Sequence, residues 1–210
     1  MIVDRIGKGR LVPVIALDEA ADAVDLCKAL KAGGLEVAEI TFRTAAAREA
    51  IRIVAREFPE FALGAGTVTT LDELEAAREA GAEFAVAPGL NAKIVNRAQE
   101  IGLPFFPGVC TPSDIEAALE LGCQTLKFFP AGALGGIKTI ASIAAPYAHK
   151  GVRFVPTGGV TAANLAEYLA SPFTLAVGGS WMVDKPLLKA KNWAEVTRLT
   201  RQAVAIASAN

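Results

Sequence analysis

Histidine is nearly absent from this chain: His149 is the only one among 210 residues. A Ser-His-Asp device therefore has no base. No His/Asp/Glu cluster shows the ligand spacing of a metal site either, so no metal and no cofactor are expected. His149 falls at the end of a helical segment, as a surface or C-terminal residue. Cysteine is scarce as well. Cys27, Cys110 and Cys123 are odd in number and never spaced C-x-x-C, which argues for reduced thiols in a cytoplasmic protein. Cys110, in "PGVCTPSD", lacks a histidine to make it a nucleophile. Charged residues make up 20% of the chain, below the usual share of about 25%. The net charge of −1 leaves no basic footprint for nucleic acid or an anionic membrane. No apolar run approaches the roughly 18 residues of a spanning helix. The opening "MIVDRIGKGRLVPVIAL" has no cleavable hydrophobic core, so no signal peptide is expected. Apolar residues fill 52% of the chain, a share that suits one domain over residues 1–210 with a large core and some surface hidden in an oligomer.

What is present is a recurring unit: a short apolar strand, a turn, then an Ala-rich amphipathic helix. The strands read as "LVPVIAL", "EVAEITF", "LGAGTV", "EFAVAPG", "LPFFPGV", "TLKFFPA", "RFVPTGG" and "TLAVGGS". Helices lie between them, such as "DEAADAVDLCKALKAGG" with closing glycines and "TTLDELEAAREAGA" with a capping threonine. Others follow Arg43, Leu90, Thr111, Gly135, Val160 and Lys189. Strands buried on both faces and alternating with helices imply a parallel sheet. Eight such units predict a single α/β domain closed as a (β/α)8 TIM barrel with short loops. An open doubly wound sheet fits less well, since no G-x-G-x-x-G follows the first strand.

In such a barrel the chemistry gathers at the C-terminal strand ends. The sixth strand carries Lys127 between Leu126 and Phe128. An unpaired buried ammonium is expensive, and a lysine so placed answers by losing its proton. In the second strand Glu39, Thr41 and Arg43 share one parity and face inward, with Val37 deeper. A Glu39–Arg43 ion pair at the mouth is the bland alternative. The third strand ends "GAGTVTT", where Thr67 presents a hydroxyl and Thr69 and Thr70 fit a helix cap equally well. Pro88 closes the fourth strand, as a turn former or a substrate contact. Diglycines end the seventh and eighth strands, "VPTGGV" and "AVGGSW". Two of them at those strand ends suit an anion better than turn geometry alone does.

A lysine amine can form a Schiff base with a ketone, a carboxylate can move protons, and an arginine can hold a carboxylate. With an anion site at the far end, the ligand is an α-keto acid with a phosphate tail. The segments "EITFRT", "GAGTV", "APG", "PFFPGV", "KFFPA", "PTGGV" and "GGSW" closely resemble the motifs of the 2-keto-3-deoxy-6-phosphogluconate (KDPG) aldolases, in order and over nearly the whole chain. These are class I aldolases of the Entner–Doudoroff route. The resemblance implies cleavage of KDPG to pyruvate and glyceraldehyde 3-phosphate by a cytoplasmic homotrimer that needs no metal. It further implies that Lys127 forms the Schiff base and Glu39 shuttles protons. Arg43 and Thr67 would bind the pyruvyl carboxylate, and Phe129 and Pro88 would line the pocket. Gly158, Gly159, Gly179 and Ser180 would receive the phosphate.

The family also includes enzymes that cleave 4-hydroxy-2-oxoglutarate or the galactonate epimer, and the paired phenylalanines of "PFFPG" and "KFFPA" fit the gluconate type better. Two rivals lie outside the class. A phosphate-binding barrel isomerase or decarboxylase would use Lys127 only as an electrostatic donor. A sugar-phosphate sensor would leave the convergence of Glu39 and Lys127 without a purpose.

Overall fold

The computed structural model describes residues 1–209. It opens on α1 (Ile2–Gly9), which leads into β1 (Leu11–Ile15). Then strand and helix alternate: α2 (Ala23–Ala32), β2 (Val37–Thr41), α3 (Ala47–Glu57), β3 (Ala62–Gly66), α4 (Leu71–Ala80), β4 (Phe84–Val86) and α5 (Ala92–Glu100). The fifth barrel strand comes in two pieces, β5 (Phe105–Phe106) and β6 (Gly108–Val109), so later labels run one ahead of the barrel position. There follow α6 (Pro112–Glu120), β7 (Thr125–Phe128), α7 (Gly136–Ala144), β8 (Arg153–Pro156), α8 (Leu165–Leu169), β9 (Val177–Gly179), α9 (Lys185–Lys189) and α10 (Trp193–Ser208).

All eight expected strands are present, and every pairing is parallel. One ladder runs β5-β4-β3-β2-β1-β9 and a second runs β6-β7-β8. Pro107 splits the fifth strand because it has no N–H to donate. Its carbonyl still accepts from the Lys127 N–H at 2.9 Å, so the strand remains tied to β7. The other seam is closed by parallel bridges of Phe154 to Thr174 and Thr157 to Gly178. The strands thus form a curled, closed ring with helices outside. Strand β2 is buried at every position, as expected for a strand covered by helices on one face and barrel interior on the other.

Local signals set the helix starts. Thr70 and Glu73 make a reciprocal capping box on α4, and Thr111 and Asp114 do the same on α6 with Pro112 just inside. The Thr69 N–H and hydroxyl also go to Glu73, so Thr69 and Thr70 belong to the cap rather than to a ligand site. Two helices escape the sequence pattern. The last expected helix begins only at Trp193, with the short α9 before it. The other is α1, whose only buried residue is Ile6. That one side chain reaches the barrel interior, where it meets Val12, Phe84 and Phe106 at the N-terminal end. The rings of Phe84 and Phe106 stack there at 5.4 Å. The floor of the barrel is therefore apolar and filled, and polar side chains find room only above it.

Candidate active site

Strand β2 supplies Glu39, in register with Val14 of β1 and Gly64 of β3. On the opposite wall β7 supplies Lys127, in register with Gly108 and Val155. Both side chains turn inward and meet: Lys127 Nζ lies 3.4 Å from Glu39 Oε1, with side chains 7% and 2% exposed. This corrects the expectation of an unpaired ammonium. The cost of burying the charge is offset by a carboxylate of opposite sign. It also removes the Glu39–Arg43 ion pair, because Glu39 is turned toward the lysine. Arg43 stands exposed just past the end of β2, and its Nε donates to Thr41 Oγ1 at 3.0 Å. The Thr41 hydroxyl in turn donates to the Ile15 carbonyl. Parity placed Glu39 and Thr41 correctly, but Arg43 has left the strand and is tied to the mouth by Thr41.

The neighbours of the pair explain why the sequence is glycine-rich at this level. A Cβ on Gly66 would lie 2.2 Å from Glu39 Oε1, so only glycine leaves the carboxylate its place. Beneath the pair is a cavity of about 10 Å3, bounded by Val12, Val86, Phe106, Val155 and Thr157. That is about the least space that holds one water. Thr157 is a polar neighbour the sequence reading did not single out. It shares its parity with Val155, which faces Lys127 across the β7–β8 ladder, so strand alternation alone would have found it.

Above the pair the remaining expected residues form the rim. The Phe129 ring lies 5.7 Å from Lys127 Nζ, within cation–π range. It precedes a cis Phe129–Pro130 bond. Thr67 is half-buried and has φ 57, an uncommon conformation for a β-branched residue. Pro88 is exposed at the end of the β4 segment. Gly158 and Gly159 have φ 91 and 79, and a Cβ on Gly158 would touch the Phe129 ring at 3.3 Å. The Gly159 carbonyl accepts from the Asn164 amide, while its N–H has no acceptor among the described residues. Gly179 ends β9 under the Trp181 ring, and Ser180 is exposed beside it. One end of the barrel thus gathers a buried amine–carboxylate pair, an exposed guanidinium and two glycine-rich turns.

Cys110 also reaches this end, but its N–H is bound to Asp114. Burial and the neighbouring Asp114 carboxylate push its thiol up, away from a reactive thiolate. His149 lies in a 3-10 turn, Ala145–Lys150, and is exposed. Among the described residues no group of three or more His, Cys, Asp or Glu side chains is gathered as a metal site would need. No helix among them is long and apolar enough to cross a membrane.

The family model for KDPG and KHG aldolases matches residues 2–199. The chain belongs to the KDPG and KHG aldolase family. It is 46% identical to 2-dehydro-3-deoxy-phosphogluconate aldolase of Haemophilus influenzae over 205 residues, covering 98% of this chain and 96% of that one. To the KHG/KDPG aldolase of Escherichia coli it is 44% identical over 196 residues, 93% of this chain and 91% of the other. Among solved structures, the KDPG aldolase of Legionella pneumophila, with pyruvate captured as a covalent carbinolamine, matches with a TM-score of 0.92 at 36% identity. It covers 97% of this chain and 98% of its own. The Zymomonas mobilis enzyme with 3-phosphoglycerate matches at 0.89 and 40%, over 98% of this chain and 95% of the other. The closed ring of parallel strands described above is thus the family's barrel.

Proposed function

We propose that this aldolase-family chain cleaves 2-keto-3-deoxy-6-phosphogluconate to pyruvate and glyceraldehyde 3-phosphate through a Schiff base on Lys127. The observation that carries the assignment is the buried Lys127–Glu39 pair at 3.4 Å inside one end of the barrel. Glu39 stands where it can take the lysine's proton, and the freed amine attacks the substrate ketone. Loss of water from the carbinolamine leaves an iminium. The hydroxyl on the fourth carbon then gives up its proton, the bond between the third and fourth carbons breaks, and its electrons enter the iminium. The aldehyde leaves as glyceraldehyde 3-phosphate. The enamine takes a proton on its terminal carbon, and water releases pyruvate and regenerates Lys127. Glu39, directly or through a water, is the only carboxylate buried beside these atoms among the described residues and carries the proton transfers.

Arg43 and Thr67 hold the pyruvyl carboxylate, Phe129 and Pro88 wall the pocket, and Gly158, Gly159, Gly179 and Ser180 take the phosphate. Names of relatives support this substrate, and the Escherichia coli relative extends the range to the shorter hydroxy-keto acid. The whole chain acts as one barrel domain in a cytoplasmic homotrimer. Borohydride reduction in the presence of pyruvate, followed by peptide mapping, tests the core of the reading. A pyruvyl adduct is expected on Lys127. An adduct confined to another lysine, or none in an active enzyme, overturns it.

A further inference from the structure

Next to Gly159 a groove of about 560 Å3 opens between the β7–α7 loop and α8. Its wall is the N-terminus of α7. The cap there is Gly135, which makes no side-chain cap, and the first turn has no acidic residue. The N–H groups of Ile137 and Lys138 cannot be met inside the helix, and no acceptor outside it meets them among the described residues. The Lys138 side chain is exposed and makes no ion pair among the described residues. A second, independent feature faces the same space. Tyr168 on α8 is 3% exposed, and its hydroxyl, at the groove, has no protein hydrogen-bond partner among the described residues. It lines the groove beside α7: a Cβ on Gly136 would come within 3.2 Å of that oxygen. Glycine at that position keeps the hydroxyl open to the groove. That oxygen faces the groove and meets no protein acceptor among the described residues, so a ligand can accept its hydrogen bond there.

We infer that this groove is a second oxyanion subsite, separate from the phosphate cradle but sharing Gly159 with it. It would take a phosphate or carboxylate group through the Ile137 and Lys138 N–H groups, the Lys138 ammonium and the Tyr168 hydroxyl. The donors are the set a dianion selects: two backbone amides at a positive helix end, a point charge and a neutral hydroxyl. Burial, with the Glu167 carboxylate beside it, pushes the Tyr168 ionisation up, so the phenol stays a donor across physiological pH. Asn164 is already committed, donating to the Gly159 carbonyl and accepting from the Thr161 N–H. Glu167 is exposed on the rim and opposes an anion, which gives the site a second handle. The groove is open to solvent and admits more than a bare phosphate.

The test uses inorganic phosphate as the probe and reads backbone amides by NMR in the intact protein. The Ile137 and Lys138 amides should shift with their own saturation curve, distinct from the amides of Gly179 and Ser180 in the cradle. Lys138→Ala should weaken the α7 curve about tenfold and Tyr168→Phe about fivefold, the weights of one charged and one neutral hydrogen bond. Glu167→Gln should tighten it. None of the three should move the cradle's curve, and because the Tyr168 hydroxyl bonds nothing in the protein, Tyr168→Phe should keep its Tm. The inference fails if the α7 amides stay still, or if they follow the cradle's curve in wild type and all three variants. Failure of the cradle alone, with the α7 response intact, would instead revise the phosphate assignment under the proposed function and leave this one standing.

Discussion

Replacing Gly66 by alanine tests the site from a residue that touches no substrate. The added Cβ would sit 2.2 Å from Glu39 Oε1 and 2.8 Å from both Cδ and Cγ. Nonbonded carbon and oxygen need well over 3 Å, so the carboxylate must retreat by about 1 Å or more. It has little room to do so, since the adjoining cavity is about 10 Å3 and Glu39 is 2% exposed. Gly66 itself is not in the left-handed region, so the backbone accepts alanine and the strain falls on the glutamate. Overpacking of this kind costs about 1–3 kcal/mol. In a chain of this size that lowers Tm by about 2–12 °C. A 1 Å misplacement of a reacting group costs about 10²-fold in rate. Gly66→Ala should therefore fold, lose about 10²-fold in kcat, and still trap pyruvate on Lys127 with borohydride. Pyruvate release coupled to NADH oxidation measures the first, and intact mass measures the second. A kcat within twofold of wild type would refute the argument that Gly66 holds the carboxylate in place, and with it the claim that the position of Glu39 matters.

Four further outcomes follow from the same geometry. Glu39→Gln keeps the shape but cannot accept a proton, so turnover should drop by about 10²–10⁴-fold while imine trapping largely survives; full activity reassigns the role. Activity should be unchanged after exhaustive treatment with EDTA, and a loss restored by a divalent ion would point to metal chemistry. Gly159→Val should reduce the preference in kcat/KM for the phosphorylated sugar acid over its unphosphorylated analogue, and equal values for the two substrates in wild type would refute the phosphate cradle. Burial pushes the Cys27 thiol up to about 12. Its contribution to stability is thus whole below the ordinary thiol value of about 8.5 and fades as pH rises from there toward 12. The stability difference between wild type and Cys27→Ala, followed by urea unfolding from pH 8 to 10.5, should shrink with rising pH; a flat difference contradicts the shift.

The barrel was legible because its signals are local and repeated. Each strand is a short apolar run with a turn signal at its end, and capping pairs such as Thr70–Glu73 mark helix starts without tertiary help. What stayed hidden depends on packing across the ring. Helix α1 buries only Ile6, too little for a periodic pattern. Parity put Glu39 and Thr41 inside, but it assumed that the strand continues to Arg43, whereas β2 stops at Thr41. Thr157 was within reach of the same alternation rule and was passed over because the diglycine after it drew the reading. The partner of Lys127 could not be read at all as a contact. Eighty-eight residues separate it from Glu39 in sequence, and only closure of the ring brings β2 and β7 face to face.

That pairing changes the chemical argument about the lysine. A lone amine in an apolar strand would owe its nucleophilicity to desolvation, and replacing its neighbours would be the way to tune it. In the closed barrel Lys127 instead has a carboxylate at 3.4 Å, and both groups are nearly sealed from water. Removing one partner leaves the other charged and buried, which costs about 3–5 kcal/mol. The pair is therefore balanced only while both members are present, and the reaction proposed above begins by unbalancing it. In the proposed step the proton passes from Lys127 to Glu39, which leaves both groups neutral and ends their attraction. The walls around the pair, Val12, Val86, Phe106 and Val155, are apolar. The same walls would shield the proposed iminium from water, apart from what the 10 Å3 cavity or the open rim admits. The glycine opposite Glu39 and the apolar floor beneath it thus act on one thing, the place of the carboxylate beside the amine.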